Sequence, residues 1–188
     1  MRALGVRSLV VLVALALVAA VPAWAELRIS DLEVFLNDYE VTVHVVLLDA
    51  IPGGFREGLE SGIPAHVKVT VELWQYNRLW LDRLLTTRHI ERQLVYNVVT
   101  KEFKVAALKG ETRAPYATRE LRDALRVISE IRSLNLTPAA TLDPTGVIYV
   151  RVHAEAALRG ENTLLTRLAG SAEQASRQSD YRTLMRSQ

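Results

Sequence analysis

Ile63-Pro64-Ala65-His66-Val67-Lys68-Val69-Thr70-Val71-Glu72-Leu73-Trp74 is the stretch on which the fold turns. Val67, Val69, Val71 and Leu73 fall on one side of an extended chain, and His66, Lys68, Thr70, Glu72 and Trp74 fall on the other. A period of two belongs to a strand with one buried and one mixed face. A second long run, residues 84 to 95, is spaced to pair with it across the loop Asn77 to Arg83, and Phe103, Val105 and Ala107 mark a further strand. Upstream, Ile29, Leu32, Val34 and Leu36, then Val41, Val43, Val45 and Leu47, repeat the same alternation. Asn37-Asp38 between them tolerates tight-turn geometry, so residues 27 to 48 read as a β-hairpin.

Helical signals are fewer. Pro52-Gly53-Gly54 ends the hairpin, Phe55 to Ser61 has room for two helical turns, and Gly62 suits a helix C-cap. Residues 119 to 131 carry Leu121, Ala124, Leu125, Ile128 and Ile131 at helical spacing behind Thr118, with Arg119, Arg122, Asp123, Arg126 and Glu130 on a solvated face. A loop with Pro138 and Pro144 follows, including the turn-like Asp143-Pro144-Thr145-Gly146. Residues 147 to 156 form a last strand, with Ile148, Val150, Val152 and Ala154 opposite Tyr149, Arg151, His153 and Glu155. Beyond Gly160 the apolar residues thin to Leu164, Leu165, Leu168, Leu184 and Met185, so residues 161–188 read as a polar tail, partly helical or disordered. The fold class expected is mainly β (α+β): an antiparallel β-sandwich-like domain, residues 26–160, with one packed amphipathic helix and a short helix.

The first 25 residues read differently. Arg2 and Arg7 precede the apolar run Leu9 to Val21, which is shorter than the ~20 residues of a membrane-spanning helix and is broken by Pro22. Ala23-Trp24-Ala25 then places small side chains where signal peptidase requires them, so cleavage is expected between Ala25 and Glu26. The alternative is an uncleaved membrane anchor. The signal holds two of the 23 basic residues and none of the 21 acidic ones, so residues 26–188 carry 21 of each. A net charge of zero offers no footprint for a phosphate backbone, which argues against nucleic-acid partners. Cysteine is absent, so an exported chain of this kind relies on its core rather than on disulfides.

Gly62-Ile63-Pro64, Trp80-Leu81-Asp82, Leu94-Val95-Tyr96, Phe103-Lys104-Val105 and Tyr149-Val150-Arg151-Val152 together resemble an uncharacterised bacterial exported family, domain of unknown function 4390. The likeness covers roughly residues 27 to 158. It implies a small exported β-rich domain of Gram-negative bacteria, in some cases encoded beside an envelope sensor kinase, and it implies no catalytic residues. The chain departs from the family pattern at Arg159-Gly160-Glu161, where a Leu-Pro step is expected.

Of catalytic signatures there is no Gly-x-Ser-x-Gly, Ser-x-x-Lys, His-Glu-x-x-His, phosphate loop or calcium loop. Four histidines, His44, His66, His89 and His153, fall by parity on the polar faces of four strands, where convergence would make a metal site. The alternative is four half-exposed strand histidines, and no cofactor is expected. Trp74, Tyr76, Leu79, Trp80 and Leu81 surround one loop and either plug the end of the sandwich or offer an apolar tip to a membrane or a partner protein. Tyr149, Arg151, His153 and Glu155 lie on a strand read as an edge, where they would either guide strand addition or guard against it. The tail is either disordered or an amphipathic helix that folds on a partner. The function expected is a periplasmic, non-catalytic binding module contacting another envelope protein, with a sensor-kinase system as the candidate partner. Carriage of a lipid or other apolar ligand between the sheets is the alternative, and a metal enzyme the third.

Overall fold

A computed structural model describes residues 26–36, 39–160 and 164–183. The expected signal peptide with its Ala25 boundary, the Asn37-Asp38 turn, Glu161, Leu184 and Met185 lie outside the described residues. The stretch quoted at the outset is strand β3, Ala65–Gln75, and it is the centre of the larger sheet. It pairs along its whole length with β4, Arg83–Asn97, on one side and with β8, Val147–Leu158, on the other. β5, Glu102–Lys109, and the short β6, Tyr116–Thr118, extend the sheet beyond β4. Beyond β8 lie β9, Ala172–Gln178, and β10, Arg182–Thr183.

The smaller sheet is β1, Arg28–Leu36, β2, Glu40–Leu48, and β7, Glu130–Pro138, with β2 in the middle. All pairings are antiparallel, and the two sheets share one core. Val67, Val69, Val71 and Leu73 of β3 and Val41, Val43, Val45 and Leu47 of β2 are all buried in it. Each such side chain contributes roughly 1.5–3 kcal/mol relative to exposure, which is why the alternation decides the fold. A 3-10 turn, Gly53–Phe55, and helix α1, Arg56–Glu60, bury Phe55 and Leu59. Gly62, at φ +86°, ends the helix with its N–H on the Leu59 carbonyl, as its C-cap reading required.

Three expectations are corrected. The helix α2, Leu121–Ser129, is shorter than the apolar spacing suggests, because Glu130 already has extended geometry and Ile131 lies in β7. Residues 132 to 138 are therefore strand and not loop. Ser133 at φ +50° and two register shifts against β2 break the alternation of Ile131, Leu134 and Leu136, so the period of two is hidden. Second, β8 is neither last nor an edge, since β9 pairs with it at Arg151 to Ala157. Third, the polar tail forms β9 and β10 besides the five-residue helix α3, Leu164–Leu168. Ala172-Glu173-Gln174-Ala175 has little strand propensity of its own, and the open side of β8 supplies what local preference lacks.

Arginines of the large sheet tie the two layers together. Arg88 on β4 donates to the Asn135 and Leu136 carbonyls of β7 at 3.2 and 3.0 Å. Arg92, only 3% exposed, donates to the Val127, Ile128 and Glu130 carbonyls at 2.8, 3.3 and 2.7 Å while both its remaining faces are held by Glu111. On the opposite side Arg177 of β9 donates to the Ile29 and Ser30 carbonyls of β1, and the Leu27 N–H donates to Glu173 at 2.7 Å.

Replacing Arg92 by methionine keeps aliphatic volume but removes the donor for three carbonyls and strands Glu111, so urea unfolding is expected to show a loss of about 3 kcal/mol. Glu111→Gln leaves the carbonyl bonds in place but leaves the buried guanidinium without its counter-charge, and is expected to lose about 3 kcal/mol as well. Truncation after Gly160 is expected to lower the urea midpoint and to speed amide exchange at residues 151 to 157, where β9 now covers β8; an unchanged exchange pattern would contradict that pairing.

Candidate functional site

At one end of the large sheet β3 runs into β4 through residues 76 to 82, and the start of β8 lies beside them. Trp74 and Tyr149 are register neighbours on the outer face, stacked with centroids 6.4 Å apart and planes 8° from parallel. The Arg151 guanidinium lies over both rings, 5.1 Å from Trp74 and 5.8 Å from Tyr149, a cation–π arrangement. Tyr181, from the tail, meets Tyr76 and Tyr149 edge-on at 5.3 and 5.2 Å. Trp74 Nε1 donates to Glu72 at 2.8 Å.

Asp82 organises the loop above this layer. Its carboxylate accepts from the Tyr149 hydroxyl at 2.8 Å and from the Asn77 N–H at 3.0 Å. Asn77 Oδ1 in turn accepts from the Leu79 N–H at 3.0 Å, and Arg83 donates to Gln75 at 2.8 Å across the base of the hairpin. The bond from the Asn77 N–H, then that from Tyr149, holds the Asp82 carboxyl below its ordinary value. Burial, followed by the bond to Asp82 and its charge, pushes the Tyr149 phenol up to about 12.

Leu79, Trp80 and Leu81 stand out from this braced loop, 90%, 80% and 79% exposed. The reading in which both tryptophans plug the sandwich is thereby corrected: Trp74 is half-buried at the base of the cluster, and Trp80 projects into solvent. The loop is short, and the Asn77 and Leu79 N–H groups are held by the Asp82 and Asn77 side chains while the apolar side chains at its apex face solvent. Of the residues singled out from sequence, Trp74, Tyr76, Leu79, Trp80, Leu81, Tyr149 and Arg151 converge on this one end. Two surfaces expected to be separate are one. Sequence reasoning missed Asp82 and Tyr181; Asp82 carried a signal, since it closes the turn that Asn77 opens.

The four histidines do not converge. His44 lies on the small sheet, 3.6 Å from Glu130. On the large sheet His66 sits beside Glu91 at 3.3 Å and Gln93 at 3.0 Å, while His89 and His153 flank Thr70 on opposite sides, His89 at 3.1 Å from its hydroxyl. Among the described residues no three His, Asp or Glu are grouped to hold a metal ion. No helix among them is long and apolar enough to cross a membrane.

The model of the family described as domain of unknown function DUF4390 matches residues 25–160. The chain belongs to this family. The DUF4390 match stops short of α3 and β9, so the strands that cover β8 on its outer side, and Tyr181 with them, lie outside the shared region. No curated protein and no solved structure matches the chain.

Because the Tyr149 hydroxyl loses its proton more readily once unfolded, it stabilises the fold fully below pH 10 and loses that effect as pH rises toward about 12. Asp82 acts in the opposite window, stabilising above its ordinary 3.8 and failing as pH falls below it. One of the six tyrosines is therefore expected to ionise near 12 in a difference-absorbance titration, and Asp82→Asn should bring that phase down while burial keeps it above 10.

Proposed function

We propose that this chain is an exported, non-catalytic binding module that docks on another protein of the bacterial envelope through the Leu79-Trp80-Leu81 tip. The observation that carries the reading is three consecutive large apolar side chains held out in solvent by a loop that is itself braced by Asp82 and Asn77. Exposed apolar surface of this kind opposes solubility, and it persists where it serves contact. A braced loop loses little conformational freedom on docking, so more of the contact energy appears as affinity. Trp80, Tyr76, Tyr181 and Arg151 are of the residue types that dominate binding energy at protein interfaces.

Export is supported by Arg2 and Arg7, the interrupted run Leu9 to Val21 and the Ala23-Trp24-Ala25 step, and the absence of cysteine frees the fold from any oxidation step. A protein partner is favoured over lipid carriage between the sheets, because the inner faces are filled by side chains such as Val43, Val69, Val71 and Val152 that are wholly buried.

A photo-crosslinking residue placed at position 80 and, as a control, at the exposed Val99 of the β4–β5 turn is the test. Position 80 is expected to give one protein adduct that position 99 does not. Excess unlabelled protein should compete it away, and the Leu79→Ser, Trp80→Ser, Leu81→Ser variant should not, with at least ~30-fold weaker competition for a hot spot of about 2 kcal/mol. Adducts of lipid mass, or identical adducts from both positions, would replace a protein partner with a membrane surface or with no specific contact.

A further inference from the structure

β4 is fifteen residues long, but β5 pairs only with its second half, Glu91 to Asn97. The chain leaves β4 at Gly110, where φ is +84° and a Cβ would stand 1.8 Å from the His89 carbonyl oxygen. Residues Arg83 to Arg88 are consequently paired to β3 on one side and, among the described residues, to no strand on the other. An open stretch of six residues is about 20 Å long, enough for a short added strand. The carbonyls of the other sheet's edges are met by Arg88, Arg92 and Arg177; among the described residues no strand pairs with this edge.

A cleft of about 570 Å³ adjoins it, lined by Arg92, Glu111, Arg113, Arg126, Glu130 and Arg132, with Thr112 and Val127 between them. The cleft lies further along the same two strands: Arg88 reaches Asn135 and Leu136 of β7, and Arg92, four residues on along β4, reaches Glu130. Four arginines face two glutamates, and both glutamates are committed, Glu111 to Arg92 and Glu130 to Arg132 at 2.6 Å. Arg113 and Arg126 stand exposed on the rim, Arg126 in a loose, solvent-exposed ion pair with Asp123 at 3.8 Å.

We propose that the open half of β4 accepts an extended acidic segment of a partner protein as an added strand, with its carboxylates directed to Arg113 and Arg126. Main-chain pairing supplies affinity in such an arrangement, and the guanidinium groups supply selectivity. A second copy of this chain does not fit. Arg83-Leu84-Leu85-Thr86-Thr87-Arg88 holds two arginines and no acid, so two such edges would bring like charges together. This surface begins beside the apolar tip but does not depend on the reading of that tip.

An eight-residue peptide of alternating glutamate and valine, added to the chain from Glu26 onward, tests the proposal by fluorescence anisotropy and amide hydrogen exchange. Saturable binding is expected, with slowed exchange confined to residues 83 to 89. Arg113→Glu with Arg126→Glu should weaken binding at least tenfold, and Arg113→Lys with Arg126→Lys should retain most of it; both positions are exposed, and unchanged thermal unfolding checks that the fold is intact. Equal binding of a lysine-valine peptide, or no slowing in β4, would overturn the proposal. So would slowing that grows with protein concentration alone, which would identify a second copy as the occupant.

Discussion

The edges of a three-stranded sheet are half of its backbone problem, and in this protein the solution is a set of guanidinium groups reaching across from the other layer. Among the described residues β1 and β7 are the two edges of that sheet, each paired with β2 on one side only. Arg177 meets carbonyls of β1, and Arg88 and Arg92 meet those of β7 and of the helix end that precedes it. Arg92 is the strictest case, since a buried cation survives only with a counter-charge and a full set of acceptors, and Glu111 with three carbonyls provides both. These bonds also explain how α2 passes into β7 with no loop between. The last carbonyls of a helix have no partners within it, and here Arg92 takes those of Val127 and Ile128 while the chain is already extended at Glu130.

Once the small sheet is held in this way, the long strands of the large sheet outrun their neighbours. β3, β4 and β8 continue to the aromatic end after β5 has left, and the tip and the open edge of β4 both lie on that overhang. Tyr149 links it to the rest, because its ring rests on Trp74 and Tyr181 while its hydroxyl holds Asp82. The loop that exposes Leu79, Trp80 and Leu81 is thus braced from β8, a strand paired on both sides, rather than only from its own hairpin.

The fold was legible wherever burial imposed a regular period. β1 to β5 and β8 announce themselves through alternating valines and leucines, and the Gly62 cap and the Asp143-Pro144-Thr145-Gly146 turn through residues whose local chemistry admits little else; in the latter the Gly146 N–H bonds the Asp143 carbonyl at 2.9 Å. β7 was hidden by its bulges, and Ile131 completed a helical stripe by coincidence of spacing. β9 was hidden for a different reason. Its alanines, glutamates and glutamines become a strand only because β8 offers an edge, which is tertiary information. At the candidate site the residue types were legible and their convergence was not, since nothing local relates Tyr149 or Tyr181 to residue 80. The histidines show the reverse: parity placed them correctly on polar faces, but register separates them.

Charge gives a final instance of the difference between composition and arrangement. Residues 26–188 hold 21 acidic and 21 basic side chains, a balance that argues against a long polyanionic partner. Double-stranded nucleic acid carries a charge about every 1.7 Å and demands a basic track to match. Among the described residues Arg113 and Arg126 stand together at one cleft, whose glutamates, Glu111 and Glu130, are paired with Arg92 and Arg132. Two exposed guanidinium groups, one of them only loosely paired with Asp123, beside a stretch of strand open on one side are the features on which the proposed choice of carboxylates rests. A neutral chain can therefore carry a charge-selective surface, provided its acids are spent on internal bonds and its spare arginines are placed together.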